Sequence, residues 1–226
     1  MYWDSTIIIL IPAIIFSIVA QIMVKSAFSK YSKVRNSRGL TGADAAREIL
    51  DRNGLTNVRI EHISGSLTDH YDPKANVIRL SDDVYGSATV AAVGVAAHEA
   101  GHAVQYAEGY YPIKIRNAII PVTRFGSSLS TPLVILGLAL SWDFLITAGI
   151  LLFCAVVLFQ AITLPVEFNA SVRALKTLRS SHFLEDDEMK GARSVLTAAA
   201  MTYVAAMLSA LLSLVRLLVI SGRRRR

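Results

Sequence analysis

The sequence predicts a mainly α integral membrane protein, with about four transmembrane helices and an extramembrane α+β module placed after the first. Three observations carry this prediction. Mean hydropathy is +0.47, and 53% of the 226 residues are hydrophobic against 18% charged, a balance too apolar for a water-soluble domain of this length. The apolar residues gather into long runs, one near the N-terminus and three in the second half. Between them, Lys25 to Phe125 has the opposite texture, with mixed charges, Gly and Asn punctuation and short alternating patterns.

The first run, Ser5 to Val24 (STIIILIPAIIFSIVAQIMV), has no charged residue and is long enough to cross ~30 Å of hydrocarbon. Its leader MYWDS lacks the basic start of a signal peptide, and no small-residue cleavage site follows, so residues 5–24 read as an uncleaved anchor. Within the module, residues 25–125, Thr41 is placed to cap a helix that ends near Asn53-Gly54. Val58–Ile63 and Ala75–Ser81 read as short strands, and a helix from about Ala88 to Ala107 follows. Leu129–Trp142, extended back to Gly126, and Phe144–Leu164 form a transmembrane hairpin, residues 126–164, that turns at Ser141-Trp142-Asp143. Residues 165–194 connect onward, with Phe168–Leu178 read as a helix whose first turn holds Glu167 after Pro165. Val195–Ile220 reads as a fourth span, or, since Val195–Tyr203 is Ala- and Thr-rich and suited to packing on protein, as a helix that does not cross fully, and residues 221–226 are a basic tail.

The net charge is +6, but the cations sit beside apolar runs: Lys25, Lys30, Lys33, Arg35 and Arg38 after the first, Arg173, Lys176 and Arg179 after the third. No basic face interleaved with aromatics appears, which excludes nucleic acid as the expected partner and makes the lipid bilayer the partner instead. Positive residues mark the cytoplasmic side, so Lys25–Phe125 and Arg173–Arg193 are both expected there. A full fourth span then puts Arg223–Arg226 outside, against the same rule. The single cysteine, Cys154, lies in an apolar run and reads as an inert apolar side chain.

One stretch of the module carries chemistry. VAAHEAGHAVQ, Val95 to Gln105, sets His98 and His102 four residues apart among Ala, Val and Gly. On a helix both lie on one face and can direct a ring nitrogen at one ion, while Glu99 projects beside that ion without ligating it. This is the HExxH arrangement of a zinc hydrolase: the metal acidifies a water, the carboxylate takes the proton, and a carbonyl polarised by the metal is attacked. As a membrane span the segment is poor, since it would carry four polar side chains and hardly any Leu, Ile or Phe.

A catalytic zinc takes three protein ligands, so a third is needed. Glu108 points to another face of the same helix, and Glu185–Glu188 suits a helix N-terminus. Glu167 is the leading candidate, with the helix-dipole role of a first-turn glutamate as its alternative and His182 next in line. His62 and His70 lack ligand spacing to the motif and read as surface histidines. His182, Arg173 and Tyr203 are each able to donate to a developing oxyanion.

The motif, with upstream YDPKANVIRLSDDVYGSATVAAVGVAAHE and downstream LPVEFNASVRAL, resembles the bacterial family of YugP-like membrane zinc metallopeptidases over most of the chain. The resemblance implies a zincin-like α+β metallopeptidase module on an N-terminal anchor with further membrane helices, a Zn2+ cofactor and a polypeptide substrate. It also implies that Asn76, Val77, Ile78, Arg79 and Leu80 form an edge strand to which extended substrate adds, with a plain core strand as the equally weighted alternative. A more distant similarity, to HtpX-type peptidases, points to Glu167 as the third ligand through their Glu-x-x-Ala-Asp pattern. Glu167-Phe-Asn-Ala170 matches it, and Ser171 stands where that pattern has Asp.

Overall fold

The computed structural model describes residues 5–223. After a 3-10 turn, Ser5–Leu10, the helices are α1 Ile11–Tyr31, α2 Gly42–Arg52, α3 Val90–Ala107, α4 Tyr111–Leu140, α5 Asp143–Ser180 and α6 Asp186–Arg223. Strands β1 Arg59–His62, β2 His70–Asp72 and β3 Val77–Leu80 lie between α2 and α3. Among the described residues four stretches are long and apolar enough to cross a membrane: Ser5–Tyr31, Tyr111–Leu140, Asp143–Ser180 and Asp186–Gly222. The protein is mostly helical, with one small sheet.

The chain divides into two compact units. One comprises Gln21–Tyr111 and Val166–Met201, the other Met1–Ala20, Pro112–Pro165 and Thr202–Arg226. In the first, α2 starts on a capping box: Thr41 Oγ1 accepts from the Asp44 N–H, and Asp44 Oδ2 accepts from the Thr41 N–H. Ala45, Ala46, Ile49 and Leu50 of α2 then meet the Ala- and Val-rich faces of α3, with Ile78, Leu80, Leu178 and Phe183 completing a buried core. Thr89 caps α3 by accepting from the Ala92 N–H, and Gly109, at φ 70°, follows its C-terminus. The small side chains of α3 allow it to be surrounded on nearly every side.

The sheet order is β1-β3-β2. β3 pairs in parallel with β1, Arg59 opposite Val77 through His62 opposite Leu80, and antiparallel with β2, His70 opposite Arg79 through Asp72 opposite Val77. This corrects the expectation of an edge strand at Asn76–Leu80. Both sides of Val77–Leu80 are occupied, and Asn76 is itself engaged, accepting from Tyr71 Oη and donating to the Asn57 carbonyl. The cause is β2, a three-residue strand without β-branched residues whose sequence, His-Tyr-Asp, carries no strand signal.

Two helix boundaries also differ from expectation. α4 begins at Tyr111, not near Gly126, because the charges of Lys114, Arg116 and Arg124 are spaced among apolar residues and do not interrupt the helix. α5 runs unbroken through Pro165. That proline removes one N–H, leaving the Ala161 carbonyl without its usual helical partner, yet the helix continues. Glu167 is therefore an interior helix residue rather than the first turn of a new one, which removes the helix-dipole explanation for it. In the second unit, α4 and α5 approach closely at small residues: a Cβ on Gly126 would stand 2.9 Å from the Leu152 carbonyl oxygen, and one on Gly149 2.7 Å from that of Ser130.

Candidate metal centre

His98 and His102 lie one turn apart on α3, their ring centroids 4.7 Å from each other. Facing them from α5 is Glu167. Helices α3 and α5 come close because Gly101, between the two histidines, has no side chain: a Cβ there would be 2.9 Å from the Ala170 carbonyl oxygen. Glu167 Oε2 stands 3.2 Å from His98 Nε2 and 3.3 Å from His102 Nε2. All three donor atoms lie within 4.8 Å of one another, the one such group of three or more among the described residues. Glu167 is 1% exposed and His102 7%.

These separations fit a metal. Ligand atoms ~2.0–2.1 Å from a tetrahedral zinc stand about 3.3 Å apart, the spacing seen on both sides of Glu167 Oε2. Two imidazoles and one carboxylate are also a donor set that zinc accepts, with a fourth position left for substrate or water. Burial disfavours the charged form of His102, but the Glu167 carboxylate and nearby Glu99 outweigh it and raise the His102 pKa above the ordinary histidine value.

Polar groups around the histidines are placed with equal economy. Ser171 Oγ is 3.2 Å from His98 Nδ1, so the residue that replaces the Asp of the HtpX-type pattern meets a histidine ring. His102 Nδ1 is 3.0 Å from Oε1 of the fully buried Gln105, whose Nε2 donates to the Val166 carbonyl at 2.9 Å and to Asn169 Oδ1 at 2.8 Å. Arg173 donates through Nε to the same Asn169 oxygen at 2.7 Å and through Nη1 to Glu108 at 2.6 Å. Glu99, 8% exposed, has no hydrogen-bond partner among the described residues.

Of the residues expected from the sequence, the structure brings His98, His102 and Glu167 together, with Glu99 near enough to act on the charge of His102, and encloses the strand Val77–Leu80 between two others. His182, the fallback ligand, is an exposed turn residue at φ 52°, outside the cluster, and Arg173 is committed to Asn169 and Glu108. Sequence reasoning missed Gln105, Asn169 and Ser171 as partners of the site. A signal existed for one of them: Gln105 is three residues after His102 and so on its face.

Fold and site together define a mostly helical protein with, among the described residues, four candidate membrane spans and a largely buried His-His-Glu cluster suited to a divalent metal. A family model described as "Putative neutral zinc metallopeptidase" matches residues 6–222. The chain is also 49% identical over 214 residues, 95% of each chain, to the "Putative membrane protease YugP" of Bacillus subtilis (strain 168). It belongs to this YugP-like family of zinc metallopeptidases. No solved structure matches the chain.

Proposed function

We propose that this protein is a membrane-bound, zinc-dependent endopeptidase in which His98, His102 and Glu167 hold the metal and Glu99 is the general base. The observation that carries the reading is the convergence of His98, His102 and Glu167, with the Glu167 carboxylate 3.2 and 3.3 Å from the two ring nitrogens, beside a Glu99 carboxylate with no hydrogen-bond partner among the described residues. Bound zinc supplies Lewis acidity, which polarises a substrate carbonyl and acidifies a water. Glu99 accepts the proton of the attacking water and returns it to the leaving amine. Its freedom from other hydrogen bonds keeps both oxygens available for that transfer. The family membership and the relative's description as a membrane protease support a polypeptide substrate.

The module is zincin-like in this reading, its three-stranded sheet packed on the motif helix. With β3 enclosed, β1 and β2 are the edges of the sheet, and β2, which packs against α3, is the edge offered to an extended substrate. We place the module on the cytoplasmic face. The two cation-rich stretches that positive residues assign to that side, after the first and third apolar runs, fall largely within one compact unit, which supports the placement.

Glu99→Gln tests the chemistry. The variant is expected to bind zinc near-stoichiometrically, as the wild type does, and to lose at least ~10²-fold in chelator-sensitive peptide hydrolysis. Hydrolysis at the wild-type rate would overturn the assignment, and stoichiometric zinc in a wild type without peptidase activity would mark a non-catalytic metal scaffold. For orientation, Lys74→Cys in a Cys154→Ala background offers an exposed label site in the β2–β3 turn, whereas Asn36 is buried by its bonds to Leu40. Labelling of Lys74→Cys from outside intact cells would reverse the topology.

A further inference from the structure

We infer that Gln105 is a positioning residue that fixes His102 as the Nδ1–H tautomer and so keeps the Nε2 lone pair aimed at the cluster, an inference that deepens the zinc reading above. A guanidinium only donates, so Arg173 Nε, 2.7 Å away, requires the oxygen of the Asn169 amide and not its nitrogen. A carbonyl only accepts, so the Val166 oxygen requires a donor. Both neighbours, Asn169 Oδ1 at 2.8 Å and the Val166 oxygen at 2.9 Å, therefore face the Gln105 nitrogen, and each independently excludes the flipped amide.

With both protons of its NH2 group used, Gln105 can offer His102 only an oxygen. In the neutral ring Gln105 therefore selects the proton on His102 Nδ1, at 3.0 Å, over one on Nε2, which the Glu167 carboxylate faces at the longer 3.3 Å. Nε2 is left with a lone pair facing Glu167 Oε2 at 3.3 Å, acceptor against acceptor, an arrangement that a cation between them relieves. His98 differs. Its Nδ1 partner is the Ser171 hydroxyl, which can donate or accept, so nothing comparable selects its tautomer. Gln105 also ties α3 to the α5 turn that carries Glu167, since Val166 and Asn169 flank the candidate third ligand.

The test reads the tautomer without metal. In the metal-free full chain carrying 15N-labelled histidine, under conditions where the ring is neutral, His102 should show a protonated Nδ1 and an unprotonated Nε2. Gln105→Leu removes the acceptor and is expected to give mixed tautomers and a zinc dissociation constant at least ~10-fold higher by chelator competition. Gln105→Glu retains an acceptor for Nδ1–H but sets its other oxygen against the Val166 and Asn169 oxygens, so it should keep the wild-type tautomer while binding zinc less tightly than the wild type, a split that a purely structural role does not predict. Should Gln105→Leu not fold, Asn169→Leu removes one of the two bonds that orient the amide and should raise the dissociation constant by a smaller factor, with Asn169→Asp close to wild type. An Nε2–H ring in the wild type, or wild-type tautomer and zinc affinity in Gln105→Leu, overturns the inference. A wild type that shows the expected tautomer but binds no zinc refutes the peptidase reading and leaves this one standing.

Discussion

The two compact units spend the same kind of side chain on opposite ends. In the unit that holds the cluster, Leu50, Ile78, Leu80, Leu178 and Phe183 are fully buried against protein. In the other, Ile15, Ile135, Leu151 and Leu158 stand with more than half of their surface exposed. Water does not tolerate such a density of exposed apolar groups, and a bilayer does. The contrast teaches that hydropathy alone does not separate a protein core from a lipid-facing surface. Side-chain size does better here: α3 is as apolar as a span but built from Ala, Gly and Val, which pack against protein, whereas the exposed runs are rich in Ile and Leu.

The largest effect on folding should come from breaking the protein core. Leu50→Ala removes a fully buried side chain from the contact between α2 and α3 and should cost about 2–5 kcal/mol, read as a lowered Tm of the chain in detergent or lipid. An unchanged Tm would mean that the unit holding the cluster has no tightly packed core.

Glu167→Ala asks whether the next polar group along α5 belongs to the metal rather than to the helix. Its removal should weaken zinc binding by ~10-fold or more and lower peptidase activity with it, because it deletes a donor atom 3.2 and 3.3 Å from the two histidine nitrogens. Zinc affinity equal to that of the wild type would remove Glu167 from the ligand set.

Proton competition should be a milder effect. In the metal-free fold the His102 pKa is raised, so the protonated ring stabilises the fold below the unfolded histidine value of ~6.5, and this contribution is lost as pH rises through the folded value. Zinc needs the neutral ring. Its affinity should therefore climb with pH, by up to ~10-fold per unit for the one proton displaced at His102, and the climb should extend above pH ~6.5. Dissociation constants that stay flat from about pH 6 to about pH 8 would show that His102 gives up no proton on binding.

How much of this was legible in the sequence follows from the range of each interaction. The motif helix, the anchor and the hairpin turn were readable because each depends on local periodicity, caps or a run of apolar residues. Glu167 was readable through its relation to a known pattern and by elimination. The role of Val77–Leu80 was not, because whether a strand is central or at an edge depends on β2, whose three residues have no strand pattern of their own. The continuity of α5 through Pro165 was hidden for a related reason: proline's local penalty was read as a break, while the long apolar helix around it absorbs the loss. Asn169 and Ser171 escaped because hydrogen-bond partners 64 and 73 residues away in the chain leave no mark on local pattern.

The smallest effect expected is at the opposite pole of the comparison. Leu158, midway along the apolar part of α5, is 57% exposed, so its side chain has little protein to lose. In a bilayer its neighbours are acyl chains as apolar as itself, and the driving force that makes Leu50→Ala costly in water-excluded protein is absent between helix and lipid. Truncation at Leu158 alters only the transfer of one residue into the membrane, about 0.5 kcal/mol on insertion scales, and leaves no cavity behind. Leu158→Ala should therefore insert normally and keep the wild-type Tm, zinc content and activity, against the marked loss at Leu50. If instead the two variants lose similar stability, the exposed face of α5 is covered by protein in the membrane, and a crosslinker-trapped second copy of the chain through Leu158→Cys in the Cys154→Ala background would identify what covers it.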